Sequence, residues 1–168
     1  MPRSFDMATD YDSNVANVHS MLCDEGYWLA RLADSGADEA RLDSITPGPL
    51  GGIEVVTTQV LTSTRLPGLV SQFHRGDLEI QREESWSPLI DGRANAVVAA
   101  KILGAPVSVT GHAELSGSET AARLTFHAAI AVQVPLVGGK LENFIANQLV
   151  ALLTSEQRFT IRWIAGDC

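Results

Sequence analysis

Arg82 and Glu84 are the two residues of this sequence whose types and spacing best support chemistry. They lie in the run Leu78-Glu79-Ile80-Gln81-Arg82-Glu83-Glu84-Ser85-Trp86, where Leu78, Ile80 and Trp86 fall at even spacings, two and six residues apart. Alternation of this kind marks a strand with one covered face. On that parity Arg82 and Glu84 point inward, while Glu79, Gln81 and Glu83 face solvent. Two residues apart on one strand face is about 6.6 Å, within reach of these long side chains. An ion pair withdrawn from water is expensive unless further groups complete its hydrogen bonding. One reading is therefore that Arg82 binds a ligand's carboxylate or similar head, with Gln59 and Gln148 as further polar anchors. The other is that this strand end sits at a solvated mouth, or that a bulge reverses its parity.

Other constellations carry less. The Ser residues include no Gly-x-Ser-x-Gly elbow and no local tie to a histidine. Gly138-Gly139-Lys140 invites comparison with a phosphate loop, but the required spacing is absent and Leu141 replaces the magnesium-binding hydroxyl. Gly48, Gly51 and Gly52 lie between strands, without the strand-to-helix context of a dinucleotide site. His112 and His127 share an outward parity, and a turn centred near Gly117 would pair His112 with Arg123 and His127 with Ser108. That register argues against a joint metal site. His19 and His74 read as surface or loop histidines, with a proton-carrying role at a pocket mouth as the alternative. No metal, no cofactor and no catalytic group is assigned, although an acid–base role for Glu84 or Tyr11 would need no recognisable motif.

The elements that must position these residues follow from periodicity and turn chemistry. Phe5, Met7, Thr9 and Tyr11 alternate with polar or small residues, which is a first strand. Asp12 or Ser13 is placed to cap a short helix through Val15, Val18 and Leu22. Asp24 is placed to cap a second, through Tyr27, Trp28 and Leu32, that stops near Gly36. Strands are then predicted over 39–46, 53–64, 77–86, 93–103, 107–115 and 120–134, with a turn at Asp91-Gly92 and a helical turn open in the Leu66-Pro67-Gly68-Leu69 connection. A long amphipathic helix closes the chain, its stripe formed by Leu141, Phe144, Ile145, Leu149, Leu152, Phe159 and Trp163. Lys140, Glu142, Asn147, Glu156 and Arg162 fall mainly off that stripe. About 25 residues of helix would span about 38 Å, enough to cross a small sheet.

The inner face can be listed by strand parity. The first strand offers Phe5, Met7 and Tyr11, and the third offers Val55, Thr57 and Gln59. The fourth adds Leu78, Ile80, Arg82, Glu84 and Trp86, and the fifth Ala96 and Val98. The last two add Val109, Gly111, Phe126 and Ala128, and the helix faces them with Leu141, Ile145, Gln148 and Leu152. With Ala94, Ala100 and Ala113 on the same parity beside Ala96, Gly111 and Ala128, six strand residues of this face are Ala or Gly. Since interiors pack at a density of roughly 0.75, small residues opposite a helix either let the helix sit close or leave room for a guest.

Composition bounds the class. At 168 residues and 18.0 kDa, with 45% hydrophobic and 19% charged residues, positions 1–168 are expected to form one soluble globular domain. A net charge of −8, with twelve scattered Lys and Arg, argues against nucleic acid and against anionic membrane surfaces. Cys23 and Cys168 have no motif spacing and read as free thiols. The N-terminal residues have no secretory pattern, and no apolar run approaches a membrane span, so a cytoplasmic location is expected.

The element order, the Leu66-Pro67 connection, the strand ending at Trp86 and the run Pro135-Leu136-Val137-Gly138-Gly139-Lys140-Leu141-Glu142 together resemble a family of uncharacterised bacterial domains. That family resembles a branch of the START-related, Bet v 1-like helix-grip superfamily, also described as SRPBCC or polyketide cyclase-like. The resemblance spans essentially the whole chain and implies an α+β fold. A seven-stranded curved antiparallel sheet would wrap a long C-terminal helix, with two short helices after strand one and a cavity between sheet and helix. Related families hold lipids, sterols, polyketides or plant hormones there, and some members are cyclases; no catalytic residue is carried over. The expectation is a binder of a hydrophobic or amphipathic small molecule, for carriage, sequestration or sensing. Two alternatives stand beside it. One is a cyclase or dehydratase, and the other is a closed-core interaction module using an outer patch of Thr58, Val60, Thr62, Val97 and Ala99. A homodimer is left open.

Overall fold

Alternating burial along each strand sets the architecture. In the computed structural model, which describes residues 3–65, 68, 76–133 and 138–166, β1 (Arg3–Tyr11) half-buries Phe5, Met7 and Thr9, buries Tyr11, and exposes Ser4, Asp6, Ala8 and Asp10. It is followed by α1 (Val15–Leu22), α2 (Glu25–Asp34), β2 (Glu39–Pro47) and β3 (Ile53–Leu61). Then come β4 (Leu78–Trp86), β5 (Arg93–Ile102), β6 (Val107–Gly117), β7 (Ala122–Val132) and α3 (Gly138–Ala165). The seven strands form one antiparallel sheet in the order β1-β7-β6-β5-β4-β3-β2, so the first strand returns to pair with the last. The sheet curves around α3, giving the helix-grip architecture.

Local chemistry explains most boundaries. Asp91 and Gly92 both adopt positive φ, the signature of a two-residue type I′ turn, and Ile90 and Arg93 exchange backbone hydrogen bonds across it. Asp24 caps α2 by accepting from the Gly26 N–H at 3.0 Å. Helix α1 departs from expectation. Its cap is Asn14, whose side chain accepts from the Asn17 N–H at 2.7 Å, rather than Asp12 or Ser13. The Val15 N–H is taken by the Ser118 carbonyl in the β6–β7 loop, which fixes where the helix begins.

That same loop corrects the register expected for the histidines. Gly117 is not the centre of the turn but the last residue of β6, paired with Ala122. A Cβ there would lie 2.3 Å from the Ala121 carbonyl oxygen, so close backbone approach demands glycine. The pairing that follows sets His112 directly opposite His127, with ring centroids 5.2 Å apart, and His127 against the Asp6 carboxylate on β1. Among the described residues no group of three or more His, Cys, Asp or Glu side chains is arranged to hold a metal ion. His19 is buried rather than solvated, its ring nitrogen Nε2 meeting the Ser87 carbonyl at 2.9 Å.

Two apolar clusters hold the fold. One gathers α1, α2 and the C-terminal part of α3 on the sheet, through Val18, Tyr27, Trp28, Val55, Leu115 and Phe159. The other packs Leu141 and Ala146 of α3 on Val109, Ala128, Ile130 and Val132. Phe126 touches both clusters. Full burial of such side chains contributes roughly 1.5–3 kcal/mol each. The outer patch expected at Thr58 and Val60 is not presented to solvent, since both residues are buried and Thr58 donates to the Asp43 carboxylate. Val97 is 68% exposed. The expected helical turn at Leu66-Pro67, His74, the Pro135-Leu136-Val137 lead into α3 and Cys168 all lie outside the described residues. Cys23 is a free thiol. No helix among the described residues is long and apolar enough to cross a membrane.

Candidate functional site

Between the two clusters lies a cavity of about 100 Å³. Its apolar lining comes from β1 (Phe5, Met7), β5–β7 (Val98, Val109, Phe126), α1 (Val18, Met21) and α3 (Leu149, Leu153). The charged part of its wall is a closed ring of four side chains, Arg31, Arg82, Glu84 and Glu156, beside the polar Tyr11, Tyr27, Gln157 and Thr160.

Three elements bring this ring together. Strand β4 supplies Arg82 and Glu84 on its inward parity, opposite Thr57 and Val55 of β3 and Ala100 and Val98 of β5. Helix α2 supplies Arg31, which stands four residues after Tyr27 and three after Trp28 and so shares their buried face. Helix α3 supplies Glu156. The Arg82 Nη2 group donates to both Glu156 oxygens at 2.9 and 3.0 Å and lies 3.0 Å from Glu84 Oε2, which also accepts from Arg82 Nε at 3.1 Å. The Arg31 Nη2 group lies 3.3 Å from Oε2 of both Glu84 and Glu156. Each guanidinium thus contacts both carboxylates, and the ring carries no net charge.

The four side chains are only 11–13% exposed, so each ion has given up most of its water. Burial lifts the Glu84 and Glu156 carboxyls above their usual range, and Arg31 pulls both back down. Burial works against the charge on Arg31, but Glu156, Tyr27 and Glu84 outweigh it and hold the guanidinium protonated. Neighbours secure the geometry further. Arg31 sits 4.3 Å above the Trp28 ring, and its Nη1 donates to the Tyr27 hydroxyl at 3.4 Å. Thr160 Oγ1 donates to the Glu156 carbonyl at 2.8 Å, so the Tyr27 hydroxyl, 2.7 Å from Thr160, is the donor in that pair.

Tyr11 is the exception in this wall. It is 4% exposed and lines the cavity; no described group hydrogen-bonds its hydroxyl, but that oxygen is not sealed off, and the fully buried side-chain oxygen without a partner among the described residues is Thr9 Oγ1. Burial above all, and then Tyr27, push its ionisation upward, so the group is a neutral phenol.

Of the lining expected from sequence, Phe5, Met7, Tyr11, Arg82, Glu84, Trp86, Val98, Val109 and Phe126 reach the cavity. Val55, Thr57, Ala96 and Ala128 are buried without reaching it, and neither Gln59, Leu78 nor Ile80 contributes to its wall. The helix packs its expected stripe on the core, with Leu141, Ile145, Leu149, Phe159 and Trp163 joining the two clusters, but of that stripe only Leu149 reaches the cavity. Gln148 is exposed, and Leu141, Ile145 and Leu152 do not line the cavity; Leu149, Leu153, Glu156, Gln157 and Thr160 do. The apolar stripe was incomplete, because Glu156, which completes the charge ring, shares the inward side of the helix. Glu142, also expected off the stripe, is buried and accepts from the Val132 N–H at 3.1 Å.

Gly111 leaves no room for a guest. A Cβ at this position would lie 2.7 Å from the His127 carbonyl oxygen and 3.2 Å from the Phe126 ring. The glycine exists to let that ring lie against β6. Gly111→Ala is therefore expected to lower stability by about 1–3 kcal/mol in chemical denaturation, as overpacking does. A neutral substitution would mean that the Phe126 ring has freedom to move.

Comparison with known proteins places this geometry. The chain is 47% identical to the uncharacterized protein Rv0481c of Mycobacterium tuberculosis, over 99% of each chain. Among solved structures it is similar to the Zhui aromatase/cyclase of Streptomyces sp. R1128, with a TM-score of 0.63, 9% identity and coverage of 98% of this chain and 96% of that one. It is also similar to norcoclaurine synthase of Thalictrum flavum, with a TM-score of 0.51, 11% identity and coverage of 96% and 88%. At such identities the likeness is one of fold. Residues 6–164 match the family described as protein of unknown function (DUF2505), and the chain belongs to that family, built on the Bet v 1-like helix-grip fold.

Proposed function

We propose that this protein binds a small hydrophobic or amphipathic molecule between the sheet and α3 and releases it unchanged. The observation that carries this reading is the cavity itself, with an apolar wall, a neutral phenol that no described group hydrogen-bonds and a self-satisfied ring of charges. An apolar void of roughly 150 Å³ is enough for a benzene-sized guest, whereas drug-sized ligands occupy roughly 300–1,000 Å³. A volume of about 100 Å³ falls short of both, so a ring-sized guest requires wall side chains to give way slightly, and a sterol or long lipid requires α3 to move outward.

Binding is favoured over catalysis by the occupancy of Glu84. Its Oε2 is held by both guanidinium groups and its Oε1 accepts from the Trp86 indole N–H at 3.4 Å, so most of its capacity to accept is already engaged by the protein. This speaks against Glu84 as the base of a cyclase or dehydratase.

Ala100, opposite Arg82, lines the cavity and offers the direct test. Ala100→Leu should weaken binding of toluene, followed by NMR titration, at least about tenfold, while the thermal midpoint stays level or rises as a void is filled. Undiminished binding would place the guest elsewhere and remove the cavity reading. Native mass spectrometry of freshly purified protein, with solvent extraction of any adduct, would then identify the natural ligand class.

A further inference from the structure

The reading above leaves open what kind of polar group a guest brings, and the cavity wall speaks to that. A carboxylate was the natural partner for an inward arginine when only the sequence was in view. The ring answers otherwise. Arg82 already contacts both oxygens of Glu156 and one of Glu84, and Arg31 contacts both glutamates, so two cations are matched by two anions. A third carboxylate in this wall would be an uncompensated negative charge beside two others, in a site that has excluded most of its water. The protein's net charge of −8 adds to the repulsion.

Tyr11 presents the opposite situation. Its side chain lines the cavity, and no described group of the protein hydrogen-bonds its hydroxyl, in contrast to the four charges of the ring. A hydroxyl on a largely apolar wall gains from a hydrogen bond, so a guest oxygen placed against it is favoured over a guest that brings only carbon. The phenol is neutral and both donates and accepts, so an alcohol, ketone or amide satisfies it without bringing charge. Phe5, Met7, Phe126 and Leu149 supply apolar surface for the rest of such a molecule.

We propose that the cavity selects neutral, hydrogen-bonding amphiphiles, with Tyr11 as the group that reads the guest's uncharged oxygen and the Arg31–Glu84–Arg82–Glu156 ring as the element that rejects carboxylic acids. The proposal rests on the binding function inferred above. Its test is a matched series that shares one aromatic body: toluene, benzyl alcohol and benzoate, titrated at pH 7.5 by NMR against wild type and Tyr11→Phe. On wild type, benzyl alcohol should bind about fivefold tighter than toluene, and benzoate at least about tenfold weaker than benzyl alcohol. In Tyr11→Phe the advantage of benzyl alcohol over toluene should vanish, and the thermal midpoint of the variant reports whether it is folded. Benzoate binding as tightly as benzyl alcohol, or an alcohol preference that survives Tyr11→Phe, would overturn the selectivity and leave the cavity reading standing. Failure of all three compounds to bind would overturn that reading and this proposal together.

Discussion

Replacing Arg82 with methionine should cost about 3–5 kcal/mol of stability at pH 7.5, and clearly less at pH 5.5. Methionine keeps the aliphatic stem, so the loss isolates the guanidinium. Without it, Glu84 and Glu156 share only Arg31, whose contacts to them are 3.3 Å rather than the 2.9–3.1 Å that Arg82 supplies. In a chain of this size each kcal/mol corresponds to about 2–4 °C, so the thermal midpoint should fall by roughly 10 °C. The pH term has a definite sign. Burial already holds both carboxyls above the ordinary value of 4.5, so the folded chain binds these protons more readily than the unfolded one. Stability then falls as pH rises through the window between 4.5 and the folded value, and returns as pH is lowered through it. Removing a cation widens that window upward. Acidification from neutrality should therefore restore more stability to the variant than to wild type. Urea midpoints of both proteins at the two pH values decide this. Equal losses at both, or a loss under about 1 kcal/mol, would mean that the ring is solvated and that β4 is not pinned to the helices by charge.

The ring also shows where sequence reading reaches and where it stops. Strand parity was legible because β1, β4 and β5 each have one polar and one apolar face, so Arg82 and Glu84 could be placed inward from their neighbours. The Asp91-Gly92 turn was legible because few residues tolerate positive φ. The register of β6 and β7 was not, because a glycine beside serines reads as the centre of a turn. Gly117 is instead a strand terminus that accommodates the Ala121 carbonyl, and the misplaced turn separated His112 from the His127 it in fact faces.

The partners of Arg82 were missed for a related reason. A charged residue on a helix is read as solvent-facing, so Glu156 was placed off the apolar stripe, and Arg31 was not singled out at all. Their spacing told against this. Arg31 is four residues from Tyr27 and three from Trp28, and Glu156 is seven from Leu149 and three from Phe159, which puts each on its helix's buried face. Two inward charges of opposite sign on a strand, with one of each on the buried faces of two helices, are the signature of a closed ring. It becomes visible only when exposure is not assumed from charge.

Helix α2 carries the second large expectation: Trp28→Ala should lose about 3–5 kcal/mol, and Trp28→Phe a smaller share. Trp28 is 1% exposed, packs edge-on to Tyr27 at 5.6 Å and lies under the Arg31 guanidinium. Its indole N–H donates at 2.8 Å to the carbonyl of Leu22, the last residue of α1, where helix geometry leaves carbonyls without partners. Alanine forfeits the burial, the aromatic contact, the platform for Arg31 and that hydrogen bond at once. Phenylalanine restores most of the packing but leaves the Leu22 carbonyl buried and unpaired, worth about 1–3 kcal/mol by itself. Thermal and urea unfolding of the two variants separate these contributions. Because Trp28 supports Arg31, the alanine variant should also bind benzyl alcohol more weakly even where it remains folded, whereas a change confined to stability would uncouple α2 from the cavity. A loss below about 1.5 kcal/mol would place α2 outside the cooperative core, and with it the claim that this short helix completes the charge ring.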